Sequence, residues 1–422
     1  MTKPRILIVC HGHPTLVPGG TETFAYDLFS AFNDGERADA WFVGCVTGLH
    51  RDARPGAPLQ SVDGRPREYL LHVARFDPFM LSNAGDGAAI DGFARLLSSV
   101  RPDVVHYHHF QHIGVETLAL VRRIVPDARI MVTLHDFHPI CARDGLMLKT
   151  DGDALCNQAS ADACHGCFPD ISPDRFALRR THLRNMLGYV DHFIAPSAFV
   201  RERFVAWGIP GASITRVPNG VPELTVEPEL SIDRPRNRFG YFGTVAPHKG
   251  VLLAIEAAAR LGKQQLDFSL DIFGDARHQS PAFQAELKQS LKRARNHVRH
   301  CGAYDRSDVS HLMRSVDWVV VPSLWWENAP LVILEAFRHG RPVIAADIGG
   351  MAEMIVPETN GLVFRRGDAN DLARLMARAV SEPQLWDRLR KAAPTVPTVT
   401  DTADAYLHLF DEMRVPQQRR SA

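Results

Sequence analysis

No stretch of this 422-residue chain approaches the roughly 18 consecutive apolar residues that a membrane-spanning helix needs. Any membrane contact is therefore expected to be peripheral. The chain opens with a basic start, but the apolar run after it, Ile6–Cys10, is far shorter than a signal-peptide core and ends in His and Gly. It reads as a first buried strand. Net charge is also lacking: 48 Lys+Arg offset 48 Asp+Glu, which removes a global attraction to nucleic acid and leaves only local basic faces. Cysteine is scarce, an odd seven, and four of these crowd between Cys141 and Cys167, unlike a secreted disulfide framework. A reducing cytoplasm is the expected compartment. Internal repeats and low-complexity segments are absent, and residues 416–422 read as a frayed tail.

What is present is an alternation of short β-branched runs with helical patterns, the signal of parallel sheets covered by helices. At this length two domains of about 200 residues are the natural division. The first series holds strands at Arg5–Val9, Ala40–Val46, Val104–His106, Ile130–Leu134 and His192–Ala195, with helices such as Thr21–Phe32 and Ile113–Val125. The second holds strands at Arg238–Phe242, Ser269–Phe273, Val298–Cys301, Trp318–Val321, Pro342–Ala345 and Gly361–Phe364. A join is placed near Val217–Pro235, where Pro-Asn-Gly and a Pro/Glu-rich stretch break the periodicity. The expected domains are 1–216 and 217–400. A last segment, 401–422, contains the helical pattern Thr402–Met413 and is expected to cross back onto the first domain. The fold class is α/β, two Rossmann-like domains with a crevice between their sheets and ligands beyond the carboxyl ends of the strands. Gly48–Gly92 reads as loop-rich and carries no interpretable motif.

The sharpest constellation runs from Pro322 to Ala336, with Glu327 in a strand-to-helix loop and Glu335 eight residues further on, on the helix itself. Asn328 reads as the N-cap and Pro330 as a first-turn residue. The helix start at Asn328-Ala329-Pro330-Leu331 then presents free N–H groups that suit a diphosphate. One carboxylate accepts from sugar hydroxyls, the other from a ribose diol. With Gly340-Arg341-Pro342-Val343-Ile344-Ala345, Gly349-Gly350, Glu353 and Asn360-Gly361-Leu362, this Glu-x7-Glu segment resembles the donor half of glycosyltransferase family 4. The resemblance covers nearly the whole chain. It implies a GT-B fold and a retaining enzyme using a nucleotide sugar, UDP- or GDP-linked. It makes Lys249, in the loop Gly243-Thr244-Val245-Ala246-Pro247-His248-Lys249-Gly250, the cation on the donor diphosphate. Thr244 stands where the family often has an Arg, so Lys249 carries the charge alone or with an Arg from elsewhere. By the same analogy the strand ends at Gly274 and Gly302 hold the base through backbone, which distinguishes no base from another.

Upstream, Pro18-Gly19-Gly20-Thr21-Glu22 opens a helix after the first strand, and paired glycines let backbone approach a ligand closely. It resembles the Gly-Gly loop that family 4 enzymes set against the donor phosphates. Thr133-Leu134-His135-Asp136 matches the position where the family has a histidine facing the transferred sugar, so His135 is the expected contact at the reacting centre, with Asp136 orienting it. His106, His108, His109 and His112 invite a metal, but strand alternation sends neighbours to opposite faces, and acceptor contacts are the preferred reading. Cys141, Cys156, Cys164 and Cys167 include a Cys-x2-Cys pair, compatible with a structural zinc site pinning the loop beside His135; free or redox-active thiols are the alternative. Asp151-Gly152-Asp153 reads as a glycine turn rather than a nucleotide-sugar metal motif. Arg175, Arg179, Arg180 and Arg184 recur at helical spacing, a face for a lipid-linked acceptor or simply for solvent.

Retention without an evident nucleophile implies front-face transfer, with Lys249 on phosphate charge, Glu335 on the ribose, Glu327 on the donor sugar and His135 at the anomeric carbon. No cofactor is required for that chemistry. The acceptor, a glycan, a lipid-linked glycan or a small molecule, leaves no readable motif, and bacterial cell-surface polysaccharide synthesis is the expected setting. A non-catalytic nucleotide-sugar sensor on the same fold is the alternative, against which the intact Glu pair, Lys249 and His135 argue.

Overall fold

The computed structural model describes residues 3–17, 19–48, 56–224 and 235–414. Pro18, most of the expected join and the 416–422 tail lie outside the described residues. The chain divides into two compact units, Met1–Gly220 with Pro397–Ala422, and Val221–Val396.

In the first unit the strands are β1 (Arg5–Cys10), β2 (Asp39–Val46), β3 (Leu59–Val62), β4 (Arg65–His72), β5 (Val104–Tyr107), β6 (Arg129–Thr133), β7 (His192–Ala195) and β8 (Ile214–Arg216). They form one sheet in the order β3-β4-β2-β1-β5-β6-β7-β8, parallel throughout except for the β3–β4 hairpin. β1 lies in the middle, and Ile6 to Cys10 are wholly buried. Covering on both faces is why it reads as a continuous apolar run and not as an alternation. The hairpin corrects the loop-rich reading of Gly48–Gly92. β4 begins Arg-Pro-Arg-Glu and β3 is half-exposed, so neither shows a strand pattern, yet an edge tolerates such residues. A second correction concerns the helix expected from Ile113, which begins at Thr117. Gly114 has φ +80°, and a Cβ there would lie 2.6 Å from Asn83 Oδ1, so the chain turns sharply before the helix starts.

The helix Val399–Arg414 belongs to this unit and lies against the helix Gly20–Asp34. Tyr406 and Phe410 are buried, Phe410 meeting Phe32 with ring centres 6.4 Å apart. Gly220 permits the close passage, because a Cβ there would lie 2.2 Å from the Thr398 carbonyl oxygen.

The second unit holds β9 (Arg238–Phe242), β10 (Ser269–Phe273), β11 (Val298–Gly302), β12 (Trp318–Val321), β13 (Val343–Ala346) and β14 (Gly361–Phe364), all parallel. Their order, β11-β10-β9-β12-β13-β14, is doubly wound and reverses direction between β9 and β12. At such a reversal the loops leaving the two strands diverge to opposite faces and open a crevice at the carboxyl ends. In the first unit the corresponding reversal lies between β1 and β5.

Candidate active site

The loops that leave β9 and β12 carry the residues expected to hold the donor. After β12, Glu327 is 6% exposed and its Oε1 accepts three bonds: from Lys249 Nζ at 2.8 Å, Ser323 Oγ at 2.7 Å and Trp325 Nε1 at 2.8 Å. Burial alone would raise the Glu327 pKa, but the Lys249 charge and these hydrogen bonds outweigh it and hold the carboxyl below its ordinary value. Glu327 is thus a fixed carboxylate, with Oε2 taking none of the three. Lys249 also lies 5.0 Å from the centre of the Trp325 ring, and His248 meets that ring edge-on. An ammonium has three donors, so one bond to Glu327 leaves two for another anion.

Glycine makes this juxtaposition possible. Gly250 has φ +72°, and a Cβ there would come within 1.9 Å of the Pro322 carbonyl oxygen. The loop ending in Lys249 can therefore lie on the β12 loop, where the Leu324 amide donates to the His248 carbonyl at 2.8 Å. Gly274 has φ +151°, and a Cβ there would reach within 1.9 Å of the Gly243 carbonyl oxygen, so the β9 and β10 loops also interlock. Thr244 is exposed, and its carbonyl accepts from Tyr241 Oη at 2.7 Å.

The helix bearing Glu335 spans Leu331–Arg338, with Pro330 as its N-cap and no side-chain cap. This corrects the reading of Asn328 as N-cap and Pro330 as a first-turn residue. Asn328 is buried upstream of the cap, and its carbonyl oxygen would meet a Cβ on Gly350 at 1.7 Å. Packing against Gly349-Gly350, where Gly350 N donates to the Glu327 carbonyl at 2.7 Å, decides its position. Ala329 and Leu331 flank the uncapped start. Glu335 is half-buried on the first turns, close enough to the Tyr304 hydroxyl that its charge, added to burial, raises the Tyr304 pKa.

In the first unit a histidine cluster gathers beyond β1, β5 and β6. His135 is half-buried, its Nε2 lying 2.9 Å from His108 Nδ1 and its ring edge-on to Phe24. Burial pushes its pKa down to about 4 and outweighs the neighbouring Asp136 charge, so the ring is neutral near pH 7. The expectation that Asp136 orients His135 is not met. The Asp136 carboxylate is instead shared between His109 Nε2 at 2.6 Å and His138 Nδ1 at 2.9 Å. His109, Asp136 and His138 hold their ligand atoms within 4.8 Å of one another, the one such group among the described residues.

Sequence reasoning missed a further pair. Glu22, 2% exposed, bonds His11 Nε2 at 2.8 Å. Burial opposes the charge on His11, but Glu22 prevails and raises the pKa well above 6.5. Gly19 lies on this carboxylate: a Cβ there would fall 2.4 Å from Glu22 Oε2, so the Gly-Gly loop packs on Glu22, whereas Gly20 has open space. The acidic residue three positions after Gly19 was the available signal, read only as part of a helix start.

None of the seven cysteines is in a disulfide, and Cys141, Cys156, Cys164 and Cys167 line one small void. The arginine stripe is corrected in part. Arg179 is 4% exposed and turned inward, while Arg180 and Arg184 donate to the Trp207 and Gly208 carbonyls. A cavity of about 780 Å³ in the first unit lies against these two arginines and is lined by none of the donor residues.

Two family models cover the chain, Glycosyltransferase Family 4 over residues 18–223 and Glycosyl transferases group 1 over residues 225–396. The glycogen synthase of Mycobacterium tuberculosis is 29% identical over 98% of this chain and 97% of its own length. The lipopolysaccharide 1,2-N-acetylglucosaminetransferase of Salmonella typhimurium is 27% identical over 40% of this chain and 47% of its own. Among solved structures, Anabaena HepE in complex with UDP superposes with a TM-score of 0.66 at 17% identity, over 97% of this chain and 100% of that one. Two doubly wound units with these likenesses make the protein a glycosyltransferase of the GT-B class. Within that class, the chain belongs to glycosyltransferase family 4.

Proposed function

We propose that the protein transfers a hexosyl-type group, with retention of anomeric configuration, from a UDP- or GDP-linked donor to a glycan, lipid-linked or small-molecule acceptor in bacterial cell-surface polysaccharide synthesis. One observation carries the donor reading: a lysine and a buried carboxylate, 78 residues apart, paired at the strand-order reversal beside an uncapped helix start. The Lys249 ammonium and the first amides of the Leu331–Arg338 helix bind the diphosphate. Glu335 accepts from the ribose diol. Glu327, held ionised by Lys249, offers Oε2 to a donor-sugar hydroxyl. His135, neutral near pH 7, contacts the transferred sugar. In the reaction the bond from the anomeric carbon to the phosphate oxygen breaks as the bond to the acceptor oxygen forms on the same face. The acceptor's proton passes to the departing diphosphate, whose growing charge Lys249 offsets.

UDP in the HepE complex and the lipopolysaccharide acceptor class of the Salmonella relative support the donor and pathway parts of this reading. Among the described residues no helix is long and apolar enough to cross a membrane, which fits a lipid-linked acceptor only through peripheral contact. An odd seven cysteines, four of them crowded in one loop and unlike a secreted disulfide framework, fit a cytoplasmic setting. The test is turnover on a panel of UDP-, GDP-, ADP- and dTDP-sugars. Lys249→Ala and Glu327→Ala are each expected to lower the rate on the preferred donor by about a hundredfold or more, the scale of lost charge stabilisation. Near-normal turnover in either variant removes that residue from the site.

A further inference from the structure

Residues 134–172, between β6 and the helix Pro173–Leu187, contain one five-residue helix, Ala161–His165, and one isolated bridge, Leu148 to Leu155. So long a stretch with so little regular structure is uncommon inside a compact domain and calls for something that holds it. Hydrogen bonds order its three cysteine-bearing parts, and Lys149 Nζ and Thr150 Oγ1 tie the middle of the loop to the Ala163 and Cys167 carbonyls. Cys141 ends a turn closed by its amide on the Phe137 carbonyl, and the Cys156 amide donates to the Met147 carbonyl at 2.7 Å. The Cys164–Cys167 turn is closed by Cys167 N on the Cys164 carbonyl at 3.0 Å. All four side chains line a void of about 20 Å³ walled by Phe168 and Phe176, room for roughly one water-sized body.

A second observation comes from charge. The Arg179 guanidinium, 4% exposed, donates to the carbonyls of Phe79 at 2.6 Å, His138 at 2.5 Å and Pro139 at 2.8 Å. No carboxylate lies within ion-pair distance of it among the described residues; beyond that distance Cys141, Cys164 and the Asp77 carboxylate favour its charge. A buried cation without a close counter-charge is costly. Four neutral thiols supply none, whereas four thiolates on a divalent ion carry net negative charge.

We propose that Cys141, Cys156, Cys164 and Cys167 bind one zinc ion as a structural tetrathiolate site. Zinc displaces the four thiol protons to solvent, and the net negative charge of the four thiolates and the ion together complements Arg179. No three of these sulfurs lie mutually within 4.8 Å, so the site closes only when the loop draws in to the sulfur–sulfur separation of roughly 3.8 Å that a tetrahedral Zn–S shell imposes. Cross-linking the loop lowers its entropy and, through Arg179 and the His138 carbonyl, steadies the segment next to Asp136. This inference is independent of the donor assignment.

Protein purified without a polyhistidine tag is expected to hold about one equivalent of zinc, and Cys164→Ser/Cys167→Ser less than about 0.2. Exchange with cobalt should give thiolate-to-metal charge-transfer absorption and the intense visible bands of tetrahedral sulfur ligation. That spectrum of the unaltered chain decides the matter even if the double serine variant fails to fold. Less than about 0.2 equivalents after reconstitution, with four thiols still reactive, overturns the proposal. So does zinc kept by the serine variant but lost from His109→Ala/His138→Ala, which would place it on the histidine–aspartate group. Iron accompanied by acid-labile sulfide would overturn it as well.

Discussion

Gly250 shows how one residue without a side chain sets the donor site. Its φ of +72° is strained for any other L residue, and the Pro322 carbonyl occupies the place a Cβ would take. Gly250→Ala is expected to cost about 1–3 kcal/mol of stability and to lower donor turnover as the Lys249 loop lifts from the β12 loop. Unchanged urea midpoint and unchanged turnover together would contradict the argument. Other residues owe their roles to partners far along the chain. Glu327 was legible as a carboxylate at a helix start, but its ionisation rests on Lys249, 78 residues away. Asp136 was legible as a neighbour of His135, yet two other histidines take its oxygens.

At the level of elements, the helix Val399–Arg414 acts as a cover on the first unit and not as a loose extension. Tyr406 is wholly buried, its hydroxyl 3.3 Å from Thr133 Oγ1, which in turn lies 2.8 Å from His106 Nε2. Phe410 packs on both Phe32 and His106. Tyr406→Ala and Phe410→Ala are each expected to destabilise the first unit by about 3–5 kcal/mol, measured by urea unfolding. A loss below about 1 kcal/mol in both would mean that the helix is peripheral to that core. Regular strands were the most legible elements, since most of their limits lie within a residue or two of the sequence pattern. The β3–β4 hairpin was hidden because an edge needs no apolar periodicity, and the polar start of β4, Arg65 to Glu68, masks the apolar residues Leu70 and Leu71 after it.

For the molecule as a whole, the first unit concentrates buried neutral histidines. Burial pushes His106 and His109 down to about 3, and His108 well below its usual value, and all three are nearly inaccessible. Because their folded pKa values are depressed, the unfolded chain takes up protons near pH 6.5 while the folded chain does not. The stabilising contribution of His106 and His109 is therefore complete above about pH 6.5 and is lost as pH falls toward about 3, by roughly 1.4 kcal/mol per pH unit for each, and His108 acts in the same direction. His11 has the opposite sign: its pKa is raised by Glu22, so its contribution is complete below its unfolded value and is lost as pH rises through the folded one. The expected outcome is a urea midpoint for the first unit that drops between pH 7 and pH 5, with a shallower slope in His106→Gln. A flat profile would show that these rings are open to solvent.

The amino-acid order alone determined two α/β units, the strands at their centres, the glycine-marked loops and the Glu-x7-Glu donor segment, because all of these are written in local spacing and in the hydrophobic period. Tertiary structure decided which charges meet: Lys249 with Glu327, His11 with Glu22, Asp136 with His109 and His138, and Arg179 turned inward instead of facing solvent. Such pairings form where loops from strands distant in sequence converge at the reversal of strand order, or where packing excludes water, and neither condition has a local signature in the chain.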